Sequence, residues 1–267
     1  MQIIVNDVIS EMPSNSLFLA SQSDFIINIL SCFEYDRNFP PVAKLLQKFH
    51  KLSGEWLVIS PIHWQATHND ALLLRVGHEF LLSESQGEAW FMELEKFIFG
   101  EDIKVHYHNP YTWLIQVKDH LSINSKSVYQ LLNKSIMTAL EKLDNSMFWA
   151  KFMTESQMFL SNNYLNKKLP IPINGFWVWG DGKLNTPTTK KIVVCDEDSS
   201  RIAKIISKNI VDSSSIKKFN RQDIVISQNA NILNKISNKL INKHQSWYWN
   251  NIAYKIRHEM WFKRIFS

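Results

Sequence analysis

Apolar positions in this 267-residue chain change their period several times, and each change marks an element. Phe176, Trp177, Val178 and Trp179 are apolar at both alternating positions, so as a strand they need cover on two faces, most simply as an interior strand. Pro170 and Pro172 discourage helix before it, and Gly180-Asp181-Gly182 ends it where unusual backbone dihedrals are needed. Residues 2–5 read as a short strand. Leu17, Phe18, Phe25, Ile26, Ile29, Leu30 and Phe33 recur at helical spacing over 15–33. Asp36 to Pro41 reads as a turn and Val42 to Phe49 as helix.

Trp56 to Ile59 is a short strand, and His63 to Asp70 is a polar segment leading to a second strand, Ala71 to Val76. Ser83 with Gln86 three residues later is a helix-start signal, and Ala89, Trp90, Leu94, Phe97 and Ile98 cover one face of the helix it opens. Lys104 to Tyr107 and Thr112 to Val117 flank an Asn109-Pro110 turn. Together these pieces predict an antiparallel ladder covered by a helix over 83–99. A long helical region is expected from about Lys126 to Leu160, with Val128, Leu131, Leu132, Ala139, Leu140, Leu143 and Met147 as its buried stripe and Asp144 or Ser146 as punctuation.

Lys191 to Cys195 then reads as a strand, with Asp198 or Ser199 capping a helix through Ile202, Ile205 and Ile206. Asp223 to Ser227 and residues 230–242 repeat the strand-to-helix pattern, which predicts a partly parallel sheet. Gln245 to Phe266 mixes Trp247, Tyr248, Trp249, Ile252, Ile256, Trp261 and Phe262 with Lys255, Arg257, Lys263 and Arg264, and is expected as a terminal helix docked on the protein. An amphipathic helix on an anionic membrane is the competing reading of that segment. The fold class is α/β, a mixed sheet with flanking helices. Residues 1–267 read as a single α/β domain with an α+β portion, 1–125, and an α/β portion, 126–267.

Composition adds limits. A 45% hydrophobic content with 16 Phe, 10 Trp and 7 Tyr supports a large ring-filled core and excludes a disordered chain. The formal charge of +5 is uneven: from Asp181 onward there are 16 Lys or Arg against 7 Asp or Glu, a basic end that reads mainly as a solvated face. The two cysteines, Cys32 and Cys195, make neither a disulfide framework nor a paired metal spacing. Neither a secretory start nor an apolar run of about 20 residues is present, so a cytoplasmic protein is expected.

Candidate chemistry is sparse. There is no phosphate-cradling Gly-Lys motif, no dinucleotide fingerprint and no Gly-x-Ser-x-Gly elbow. His63, His68 and Asp70 form the best local polar group, able as two imidazoles and a carboxylate to hold a metal or an anionic substrate, or simply to order the adjacent strands. His106 and His108 share a strand face but are too few for a zinc site, and spacing nominates no third ligand. Asn174, Trp177, Trp179, Asp181 and Lys183 form a second candidate group, either a ligand site at a strand end or structural. Cys195 reads as a small buried hydrophobe. The basic C-terminus lacks a nucleic-acid-binding signature, and neither nucleic acid nor a membrane is an expected partner.

Glu155-Ser-Gln-Met-Phe159, Asn166-Lys-Lys-Leu-Pro170 and Ile173-Asn-Gly-Phe-Trp-Val-Trp-Gly-Asp-Gly182 resemble the later block of bacterial RpfE-type regulatory proteins, also labelled cofactor-independent phosphoglycerate mutase-like. Ser60-Pro-Ile-His63 with Asp70 and Leu72-Leu-Leu74 resembles the family's other recurring block, and the likeness covers about residues 55–183 in pieces. The resemblance implies family positions at His63, Asp70, Asn174 and Trp179, and an alkaline-phosphatase-like ancestry in a reduced form. More distantly it points to mutases that use a hydroxyl nucleophile and two metal ions. This chain departs from that pattern: Asn6-Asp7 is not followed by Gly, and the later Asp-His metal motif is absent. The resulting expectation is a non-catalytic phosphoglycerate mutase-like protein with a regulatory or interaction role, with no cofactor and an unidentified protein partner or a small phosphorylated ligand. The alternative is a divergent metal-dependent phosphoglycerate mutase or phosphatase, which requires a divalent metal.

Overall fold

Sheet pairing, more than helix packing, sets the architecture. The computed structural model describes residues 1–19, 24–68, 70–118, 122–185, 191–213, 215, 220–228, 230 and 244–256. In chain order the first elements are β1 (Gln2–Val5), β2 (Ser16–Leu19), α1 (Phe25–Cys32), α2 (Val42–His50), β3 (Leu57–Ala66), β4 (Ala71–Val76), α3 (Glu84–Phe97), β5 (Ile103–Asn109) and β6 (Thr112–Val117). Then come α4 (Val128–Leu131), α5 (Met137–Glu141), α6 (Phe148–Leu160), β7 (Gly175–Trp179), β8 (Val193–Cys195), α7 (Glu197–Ile206), β9 (Ile210–Asp212), β10 (Ile224–Ser227), β11 (Gln245–Tyr248) and β12 (Ala253–Ile256). The chain divides into two compact units, one made of Met1–Glu34 with Asn185–Ser267 and the other of Tyr35–Leu184. The second is an insertion in the sequence of the first, and the expected 125/126 boundary falls inside it.

The first unit is an α/β mixed sheet flanked by helices, in the order β2-β12-β11-β1-β10-β8-β9. From β11 to β9 the strands are parallel, while β12 and β2 run antiparallel at one side. Ile3, Ile4, Val5, Val193, Val194 and Ile224 to Ile226 are fully buried, as short continuous β-branched runs are when both faces of a sheet are covered. In α7 the cap is Asp196, which accepts from Ser199 N at 2.8 Å, instead of Asp198 or Ser199.

Two expectations fail in this unit. The helix over 15–33 is a strand, Ser16–Leu19, followed by the shorter α1; Leu17 and Phe18 share a ladder with β12 and are exposed at 47% and 69%. Their helical phase with Phe25 is therefore accidental. The terminal helix from Gln245 is a β11–β12 hairpin. Trp247 and Trp249 alternate with Tyr248 at period two, Trp247 pairs with Tyr254, and all three large rings pack on Ile3, Val5, Val194 and Val225. Trp261, Phe262, Lys263 and Arg264, and the helix expected at 230–242 apart from residue 230, lie outside the described residues.

The second unit is an antiparallel sheet in the order β4-β3-β6-β5, with β7 also paired to β3. Val58 of β3 is partnered by Leu114 of β6 and by Trp179 of β7, so β3 is an interior strand and β7, among the described residues, an edge, contrary to the expectation. All five residues of β7 are nevertheless buried. Its edge is covered by α6, where Ser156 Oγ accepts a hydrogen bond from Phe176 N at 3.3 Å. The Ser83–Gln86 capping box forms as predicted, and α3 sets Phe91 against Tyr107 of β5 and Trp113 of β6.

The long helix expected over 126–160 is broken into α4, α5 and α6. Between the first two, residues 133–136 pair with β4: Asn133 N and Ile136 N donate to the carbonyls of Leu73 and Ala71, and Leu73 N donates to Lys134 O. Satisfying the open edge of β4 outweighs helical continuity there. Asn133 and Met147 adopt φ of 58° and 59°, and Asp144 accepts from Phe148 N at 3.1 Å to start α6. Met147, expected in the buried stripe, is 51% exposed.

Candidate functional site

The residues marked by the resemblance are mostly occupied in building the second unit. Asn174 precedes β7, and its side-chain amide accepts from Trp64 N at 2.9 Å and donates to Trp64 O at 2.7 Å. The carboxamide thus imitates one more residue of strand, prolonging the β3–β7 ladder. Trp177 is fully buried and points its indole N–H at Lys126 O, 3.4 Å away. Trp179 is 1% exposed and donates to Ser60 Oγ at 3.1 Å, itself a buried hydroxyl.

His63 to Asp70 is not a single loop, because β3 continues through His63 and Trp64. His63 lies opposite Arg75. Burial lowers its pKa most, the Pro172 carbonyl opposes that shift, and the Arg75 cation adds to it. Its Nδ1 is buried without a hydrogen-bond partner. Asp70 shapes the turn: its carboxylate accepts from Ala71 N at 2.7 Å and from Ser135 Oγ, and its carbonyl accepts from Thr67 N at 2.7 Å. His68 is exposed in the turn. Among the described residues, no group of three or more His, Cys, Asp or Glu is arranged to hold a metal ion.

Asp181 is the candidate that reaches open space. It lines a cleft of about 180 Å³ with Ala43, Lys44, Glu55, Trp56 and the two glycines beside it. Gly180, at φ 91°, turns the chain so that its carbonyl accepts from Ala43 N at 3.1 Å. A side chain at Gly182 would meet Phe39 O at 2.0 Å, so only glycine fits the return. Although Asp181 keeps more than a third of its surface, the packing around its carboxyl pushes its pKa up to about 6. Lys44 and Glu55 pair at 3.1 Å across the cleft wall. Lys183 is exposed and does not line the cleft.

In the first unit, side chains that the sequence did not single out form a polar row just past the carboxyl ends of adjacent parallel strands. Asn250 Nδ2 donates to Asn6 Oδ1 at 3.0 Å, and Asn6 Nδ2 donates to Gln228 Oε1 at 2.7 Å. Gln228 N and Ser227 Oγ both donate to Asp196 Oδ2, at 3.0 and 2.6 Å. Asn250 is 3% exposed and its Oδ1 is buried without a partner. Open parallel sheets gather ligands at this end. The signal was available, since Asn6, Asp196 and Gln228 each closely follow a β-branched run. Beside Asp196, burial, then Asp196 and Asp212, push the Cys195 thiol up to about 11, away from the thiolate that reactive cysteines need.

No family model matches the chain. No curated protein matches it. Among solved structures, a cofactor-independent phosphoglycerate mutase from Thermoplasma acidophilum DSM 1728 is similar, with a TM-score of 0.35 and 10% identity over 97% of this chain and 90% of that one. At that TM-score too little backbone superposes for residue roles to be transferred. No described helix is long and apolar enough to cross a membrane.

Proposed function

We propose that this chain is a non-catalytic phosphoglycerate mutase-like protein of the RpfE-type regulatory group, cytoplasmic, with a regulatory or interaction role and a reduced alkaline-phosphatase-like descent. One observation carries the reading. Three of the four positions that the resemblance marks, the Asn174 amide, the Trp179 indole and the Asp70 carboxylate, are spent on backbone and side-chain bonds within the second unit, while the fourth, His63, keeps a buried Nδ1 without a hydrogen-bond partner. A surface for a protein partner is available on α3, α6 and the chain just after α3, where Met92, Phe99, Met158 and Phe159 are exposed at 56%, 90%, 72% and 40%.

The alternative, a divergent metal-dependent mutase or phosphatase, is favoured by the Asp196–Ser227 contact at the carboxyl edge of the parallel sheet, where a hydroxyl lies beside a carboxylate. Turnover of 3-phosphoglycerate and of p-nitrophenyl phosphate with added Mg²⁺, Mn²⁺ or Zn²⁺ separates the two. The expected result is no metal-dependent turnover above the blank. Robust turnover that is lost in Asp196→Asn or Asp70→Asn overturns the proposal.

A further inference from the structure

The C-terminal end of α2 and the strand β5 are joined by His50 and by two imidazoles remote from it in sequence, His106 and His108. His50 Nε2 and His108 Nδ1 are 2.9 Å apart, a hydrogen-bond distance that accommodates one proton between the two nitrogens. His106 packs against the same His50 ring, with centroids 4.4 Å apart and planes at 64°. Phe49 closes the cluster, edge-on to both His50 and His108. On β5, Tyr107 between the two histidines turns to α3, where it contacts Phe91 and donates to Glu84 at 2.9 Å. The α3 carboxylates Glu84 and Glu88 therefore act on Tyr107.

The charged side chains that α2 and β5 themselves carry are lysines. On α2 the neighbours are Lys48 and the following Lys51, and on β5 the same face carries Lys104. Strand β6, from Thr112 to Val117, has no ionisable side chain, and Glu55 is already paired with Lys44. Burial, then His50, then His106 push the His108 pKa down to about 3, and no carboxylate is among the groups acting on it.

We propose that His50, His106 and His108 form an acid-sensitive latch that holds α2 to the edge strand of the five-stranded sheet and opens when the cluster takes up more than one proton. The first proton is tolerated. His50 sits at a helix C-terminus, which favours a cation, and a charged His50 still donates to a neutral His108. A second proton on that pair sets N–H against N–H at 2.9 Å, and one on His106 puts two like charges in ring contact. Opening would uncover β5, which among the described residues pairs only with β6.

Hydrogen exchange read by mass spectrometry on the full chain tests this, with rates normalised to the intrinsic rate at each pH. Peptides covering 42–51 and 103–109 are expected to show an opening constant that rises by about tenfold per pH unit between pH 6.5 and 5.5, one extra proton being bound on opening. Peptides of α6 and β7 are expected to stay flat. His108→Phe, which keeps the contact with Phe49 but leaves His50 against His106, is expected to lower the pH slope to about half, and adding His50→Gln, which leaves a single imidazole, is expected to remove it. A wild type flat over this range, or variants that follow it in parallel, overturns the proposal. If neither variant folds, imidazole nitrogen NMR of the wild type decides. Coupled titration of the three rings supports the latch, and three independent ordinary histidine titrations refute it.

Discussion

Replacing Asn174 by Ala separates a scaffold role from a ligand-binding one. The substitution removes two hydrogen bonds, to Trp64 N and Trp64 O, and leaves both backbone groups at the partly buried end of the β3–β7 ladder. At about 1 kcal/mol for each bond, plus a partial desolvation penalty for the stranded groups, the expected cost is about 2–4 kcal/mol. That is a large share of a stability of about 5–15 kcal/mol. Urea unfolding followed by tryptophan fluorescence reports on the right unit, since seven of the ten tryptophans lie between residues 35 and 184. With a slope of about 1–3 kcal/mol/M the midpoint should fall by roughly 1–2 M without a change in slope. Asn174→Asp should recover only part of the loss, because a carboxylate can accept from Trp64 N but cannot donate to Trp64 O. A cost below about 0.5 kcal/mol for Asn174→Ala would refute the account and return Asn174 to the list of free binding groups.

Asp181→Asn is expected to help at neutral pH and to make little difference in acid. The folded carboxyl titrates near 6 against an ordinary 3.8, so the unfolded chain ionises first and stability falls as pH rises through that window. Since the residue is more than a third exposed, solvent screening limits the gain to below about 1 kcal/mol at pH 7. Denaturation curves of both proteins at pH 4 and pH 7 check the sign, and a gain at pH 4 equal to that at pH 7 contradicts it. With a thiol pKa of about 11, Cys195 should resist iodoacetamide in the native protein at pH 8 and react once unfolded, as peptide mapping would show. Rapid native labelling would mean that the strand end opens.

What the sequence made legible follows the locality of each signal. The Ser83–Gln86 box, the Asn109-Pro110 turn and the β-branched runs at 193–195 and 224–226 act within a few residues, and all are found where expected. The failures need a partner remote in sequence. Ser16–Leu19 becomes strand because β12, more than 200 residues later, supplies its ladder. The helix over 126–160 breaks because β4 needs partners for its open edge. His50 escaped notice as a neighbour of His106 and His108 for the same reason, as did the row that joins Asn6 to Gln228 and Asn250.

The same distinction bears on the tryptophan block. A strand can look like a signature either because its side chains face a substrate or because no other set of side chains fills the space. In β7 the second cause is sufficient: two indoles buried on one face each find a hydrogen-bond acceptor, and Phe176, on the other face, gives its N–H to a helix. Gly175 is fixed by the Trp64 indole, whose Nε1 would lie 2.9 Å from any added Cβ. Each of these demands is met by packing alone. Nothing in this stretch therefore needs a ligand to account for it, and Asp181, just past its end, is the member of the block whose carboxyl opens onto a cleft.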